Sequence, residues 1–233
     1  MLKIRPSDER GHAKHGWLDS HHTFSFANYY DPAFVGFRSL LVINEDRVQP
    51  AQGFGKHGHE DMEILSYVID GALEHKDSMG TGSVLKPGDV QVMSAGTGVR
   101  HSEYNLEDAT TKIFQIWIEP NRQGGAPAWG AKPFPKHERA GQFVTLASGF
   151  AEDIGALPIR SDARVLGATL NQGETAEYAL GENRLAYLVP AKGSVEVNGV
   201  VLNARDGAAI AKEAVLRIKA LDNAEIVMVD AAG

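Results

Sequence analysis

Residues 53–68, GFGKHGHEDMEILSYV, set His57 and His59 two positions apart behind glycines and ahead of an apolar run. In a β-strand residues i and i+2 share a face, so the two imidazoles are predicted to project together. A second stretch, MSAGTGVRHSEYN at residues 93–105, repeats the device: Gly96 and Gly98 permit a tight turn, and then His101 and Glu103 stand two apart. If the two strands lie opposite each other, three neutral imidazoles and one carboxylate converge. That set suits a borderline divalent ion such as Fe(II), Mn, Co, Ni, Cu or Zn. The plain alternative is a pair of solvated strand faces.

The elements that would position these residues are short strands. Runs of β-branched and aromatic residues recur at 39–43, 64–69, 90–94, 113–118, 143–146, 165–170, 185–189, 194–197, 215–219 and 226–229, and no long helical periodicity interrupts them. SVEV-NG-VVL is the sharpest local signal, because Asn198-Gly199 suits the positive φ angles of a type I′ hairpin turn. Many short strands with regular turns argue for an all-β chain of sandwiches or barrels with few short helices. Residues 119–138, EPNRQGGAPAWGAKPFPKHE, break the rhythm with proline and glycine and read as a linker or strap. On this reading the domains are 1–130 and 131–233, the latter opening with the linker. YVIDGALEH and YLVPAKGSVEV, each read as a glycine-marked hairpin, suggest a degenerate internal repeat. All nine histidines lie at or before residue 137, so a metal centre is expected in the first domain alone.

Composition narrows the functional classes. A chain of 233 residues that is 43% apolar and 23% charged can bury a substantial core. No segment approaches the apolar length of a membrane span, and the first residues, MLKIRPSDERGHAKHGWL, lack an apolar signal region, so a soluble cytoplasmic protein is expected. With no cysteine there is neither disulfide scaffolding nor thiolate ligation. The net charge of −7 offers no basic field for nucleic acid. His21 and His22 precede Phe24, Phe26, Tyr29 and Tyr30, an aromatic run expected chiefly in the core; His12, His15, His75 and His137 are expected to be surface or hydrogen-bonded histidines.

GFGKHGHEDMEILSYVIDG and PGDVQVMSAGTGVRHSE resemble the two cupin motifs in the form used by pirins, and HTFSFANYYDP is similar to the bacterial pirin-like group. The resemblance covers residues 1 to about 130, and the second half is compatible with the family's degenerate second cupin. It implies a bicupin, two β-barrel domains of the double-stranded β-helix or jelly-roll type. It also implies metal ligation by His57, His59, His101 and Glu103. Many other cupins take their carboxylate from the first motif, where Glu63 stands with the same parity as His57 and His59, so strand geometry alone leaves Glu63 open as the ligand; the pirin pattern favours Glu103 and makes Glu63 a hydrogen-bond acceptor for a ligating imidazole, the plain alternative being a surface carboxylate. The resemblance implies one divalent transition metal per chain, with Fe(II) favoured for its redox chemistry, and a quercetin 2,3-dioxygenase reaction on a flavonol-like aromatic substrate and O2. Glu103 is then the catalytic base as well as a ligand. A second class implied by the family is a non-enzymatic, metal-dependent regulator that binds a protein partner. A cupin isomerase acting on phosphorylated sugars ranks last, since strand alternation turns Lys56 and Arg100 away from the ligands. Neither nucleic acid nor membrane is an expected partner.

Overall fold

A computed structural model describes residues 1–233. The chain is β throughout, with only two short 3-10 turns, Ser7–Glu9 and Lys136–Arg139, and no α-helix. No helix is long and apolar enough to cross a membrane. Two compact units result: one of residues 11–133 and 157–161, the other of residues 1–10, 134–156 and 162–233. In each, a large antiparallel sheet is accompanied by a four-stranded one, so the architecture is the open two-sheet jelly roll rather than a closed barrel.

The small sheet of the histidine-bearing unit runs in the order Gly53–His59, Val99–Tyr104, Leu73–Asp77, Gly82–Leu85. Its seven-stranded sheet runs Ala128–Pro133, Asp89–Ser94, Glu63–Asp70, Thr111–Ile118, Leu40–Val48, Leu18–His22, Gly11–Lys14. Val68, Leu73, Leu85 and Ile113 fill one apolar cluster of this unit, and Ile64, Met93, Ala95 and Val99 another. Between them the register draws a polar row across the large sheet: His22 opposite Asn44, Asn44 opposite Gln115, Gln115 opposite Ser66, and Ser66 opposite Gln91. All five are buried. Polar side chains aligned inside an apolar sheet need partners; Ser66, Gln91 and Gln115 find one at the candidate site, whereas Asn44 Oδ1 and Gln115 Oε1 accept no hydrogen bond.

The Pro/Gly-rich stretch departs from the expected linker. Its residues 128–133 form a strand paired with Asp89–Ser94. This strand lies at the sheet's edge, where one side of the backbone makes no ladder bond and a proline is tolerated. The expected hairpin in YVIDGALEH is a corner instead: Glu63–Asp70 belongs to the large sheet and Leu73–Asp77 to the small one, with Gly71 at φ 80°. YLVPAKGSVEV makes the same move in the other unit, from Arg184–Lys192 to Val195–Val197. There the Asn198-Gly199 hairpin forms as predicted, with both residues at positive φ (46° and 84°) and Val197 opposite Val200. An apolar cluster including Leu188, Ile210, Leu216, Ile218 and Met228 fills this unit.

Candidate metal centre

The strands Gly53–His59 and Val99–Tyr104 pair antiparallel with His57 directly opposite His101. A bulge follows, and Glu103 falls opposite Phe54 rather than Gly55. The close approach explains the glycine lead, because a Cβ on Gly53 would stand 2.1 Å from the Glu103 carbonyl oxygen. His101 Nε2 lies 3.0 Å from His57 Nε2 and 3.0 Å from His59 Nε2. Neighbouring ligand atoms around an ion held at about 2.0–2.1 Å stand roughly 2.9–3.4 Å apart, so these separations match shared coordination.

Tautomers sharpen the fit. His57 Nδ1 lies 2.8 Å from the Gly55 carbonyl, which can only accept, so Nδ1 carries the proton and Nε2 is a bare lone pair in the neutral ring. His75 Nε2 donates to Asp77 Oδ2 at 3.1 Å, leaving His75 Nδ1 bare, and it faces His101 Nδ1 at a long 3.5 Å. A proton on His101 Nδ1 suits that contact and leaves His101 Nε2 bare as well. Burial, with the charge of His57 adding to it, pushes His59 down to about 4; burial together with His57, His59 and His75 pushes His101 down to about 3. Both rings are therefore neutral at pH 7. With His57 neutral as well, its Nε2 lone pair and that of His101, 3.0 Å apart, would repel unless a cation lay between them, and the donor set is one that borderline divalent ions accept.

Glu103 stands next to this trio, in a buried group with His75 and His101 whose candidate ligand atoms all lie within 4.8 Å of one another. Its Oε1 accepts from Ser66 Oγ at 2.8 Å and Gln91 Nε2 at 2.5 Å, and its Oε2 accepts from Gln115 Nε2. Three members of the polar row thus hold one carboxylate. Burial lifts its pKa to about 7, and Asp46 adds to the lift against those three hydrogen bonds.

Glu63 stands apart from the candidate ligands and is not at the surface. It is 1% exposed, accepts from Ser94 Oγ at 2.6 Å and from the Arg160 backbone N–H, and touches no histidine of the site. A bend at residues 60–62, with Asp61 at φ 47°, separates His59 from the Glu63 strand, so parity counted across it loses meaning. In the new strand Ile64 and Ser66 face the site and Glu63 faces away.

A cavity of about 600 Å³ opens on the three histidines and Glu103. Phe26, Tyr29, Phe54 and Trp117 line it, so part of the run expected in the core is cavity wall; Phe24 alone of that run is core, and Tyr30 is exposed. Trp117 meets both Phe26 and His59 edge-on. His75, expected at the surface or hydrogen-bonded, is hydrogen-bonded and fully buried, stacked 5.5 Å from Trp129. Trp129 also donates to Gln91 Oε1 at 3.1 Å, which fixes the amide that reaches Glu103. The only sequence signals for His75 and Trp129 were a histidine within an alternating strand and a tryptophan within a glycine-rich stretch.

A family profile described as Pirin matches residues 3–118, and one described as Quercetinase C-terminal cupin domain matches residues 145–231. A pirin-like protein of Caulobacter vibrioides is 62% identical over 232 residues and the likeness covers all of both chains. The quercetin 2,3-dioxygenase of Escherichia coli is 43% identical over 99% of this chain and 98% of its own. The crystal structure of bacterial pirin YhhW from Escherichia coli in complex with nickel(II) has a TM-score of 0.93 at 42% identity, covering 100% of this chain and 99% of that one. Motifs, two-sheet fold and full-length likeness agree, and the chain belongs to the pirin family of cupin proteins.

Proposed function

We propose that this chain is a cytoplasmic metal-dependent dioxygenase that opens a flavonol such as quercetin with O2 at a mononuclear site of His57, His59, His101 and Glu103, with Fe(II) the favoured ion. The observation that carries this reading is the meeting of three imidazoles and a deeply buried carboxylate on one aromatic-lined cavity of about 600 Å³. Such a volume is of the size that encloses a small organic ligand. Relatives named quercetin 2,3-dioxygenase give the substrate class.

A bound ion would supply Lewis acidity toward an ionising hydroxyl, and redox capacity if it is iron. The protein's own groups do the rest. Phe26, Tyr29, Phe54 and Trp117 present flat apolar surfaces to a planar ring system and exclude water from it. Glu103 accepts the proton of the substrate hydroxyl, a role open to a carboxylate that a bound cation would keep ionised. Ser66, Gln91 and Gln115 hold its two oxygens in place, and Asp77 with His75 sets the tautomer of His101.

The test is incubation of metal-loaded protein with quercetin in air. Loss of flavonol absorbance together with stoichiometric carbon monoxide is the expected result. Quercetin left intact by fully loaded protein would remove the enzymatic reading and leave the metal-dependent regulator that binds a protein partner.

A further inference from the structure

A second cluster of metal-ligating side chains lies outside the site just described, on the hairpin formed by Gly11–Lys14 and Leu18–His22. Their register sets His12 opposite His21 and Lys14 opposite Asp19. The register puts His12, His21 and Asp19 on one face of the hairpin; Ala13, Leu18, Ser20 and His22, on the other, line the cavity, and His12 lines it as well. The imidazoles of His12 and His21 stack at 4.4 Å with 15° between their planes. His12 Nε2 lies 2.9 Å from Asp19 Oδ1, and His21 Nδ1 lies 3.5 Å from the same oxygen. One candidate ligand atom from each residue falls within 4.8 Å of both others.

We infer that His12, Asp19 and His21 form a second divalent-metal site, taking a borderline ion of the zinc, nickel or copper class. The separations bracket the roughly 3.3–3.4 Å between ligand atoms on a tetrahedral ion held at about 2.0–2.1 Å. Two imidazoles and one carboxylate are also the donor types those ions accept. The cations nearby do not close the site, since the Arg47 guanidinium is engaged by Glu45 at 2.8 Å and Lys14 is exposed. His12 is half-exposed, and solvent would complete the coordination shell.

The location gives the site a consequence. Gly11–Lys14 is the edge strand of the large sheet, and an ion shared between His12 and His21 would tie that edge to its neighbour. The same hairpin walls the cavity, with His12 itself among the lining residues, so the ion would stiffen that wall. This raises the capacity of the unit from one ion to two.

Titration of metal-free protein with Zn2+ by calorimetry tests this. Two ions per chain are expected for the wild type, one for His12→Gln/His21→Gln and one for His57→Ala/His101→Ala. In the latter variant, Zn2+ should also slow amide exchange at residues 11–14. A wild-type stoichiometry of one that His57→Ala/His101→Ala abolishes would overturn the inference, and so would a second ion that persists in His12→Gln/His21→Gln. The wild-type and His12→Gln/His21→Gln titrations decide the matter even if His57→Ala/His101→Ala fails to fold. Because only metal counts and exchange rates are read, failure here is separate from failure of the dioxygenase reading.

Discussion

Replacing Glu103 by Gln should make the metal-free protein more stable and the loaded protein inactive. Burial lifts the carboxyl from 4.5 to about 7, so the folded state holds a proton that the unfolded chain releases near 4.5. At about 1.4 kcal/mol per pKa unit, ionised Glu103 destabilises the metal-free fold by up to about 3 kcal/mol, a penalty that grows from about pH 4.5 and is nearly complete above about 7. Gln keeps the shape and removes the charge. Its carbonyl can take the Ser66 and Gln91 bonds, while its NH2 meets Gln115, whose amide can turn to present oxygen. Urea denaturation of both metal-free proteins should show Glu103→Gln ahead by up to about 3 kcal/mol at pH 8 and level with the wild type below about pH 4.5. Carbon monoxide release from quercetin, measured at matched metal content, should fall by about two to four orders of magnitude, the usual effect of losing a general base. Near-normal turnover at full occupancy would refute the role of Glu103, and an unchanged pH profile of stability would refute the account of its burial.

Other outcomes follow from the same geometry. His57→Ala or His101→Ala should abolish metal binding at the cavity while circular dichroism stays native, because the apolar clusters do not include these rings. His75→Ala should weaken metal binding at the cavity by roughly ten- to hundredfold in a competitive chelator titration, through loss of the group that orients His101. Asp46, fully buried and bonded to Ser20, is lifted by burial to about 6, against that hydrogen bond and with Glu45 adding to the lift. Asp46→Asn should therefore be more stable than the wild type by up to about 3 kcal/mol above pH 6, with the difference vanishing below about pH 4 in denaturation at several pH values.

Much of this was legible in the sequence, for identifiable reasons. Within one strand alternation is rigid, so His57 with His59, and His101 with Glu103, could be read as shared faces, and the Asn198-Gly199 turn announced its own hairpin. What failed was reasoning carried across a break. Glu63 kept its parity on paper but not in space, because the bend at residues 60–62 starts a new strand in another sheet. Ala128–Pro133 was hidden by composition, since an edge strand tolerates the proline that a central one rejects. The row from His22 through Asn44, Gln115 and Ser66 to Gln91 comes from five strands, one residue each. Only the register between strands brings it together, and a linear sequence does not print the register.

The exchange of segments between the two units bears on how the chain is born. Residues 1–10 belong to the unit completed last, and Leu2–Arg5 pairs with Gly207–Ile210, about two hundred positions downstream. At roughly 5–20 residues per second on a ribosome, that first strand waits about ten to forty seconds for its partner. The histidine-bearing unit waits as well, because residues 157–161 belong to it and follow a stretch that belongs to the other. A fragment stopping at residue 133 would therefore carry one orphan strand and lack one of its own segments. Synthesis order and folding order are offset in this chain, and the strands carrying the candidate ligands emerge well before the unit that holds them is complete.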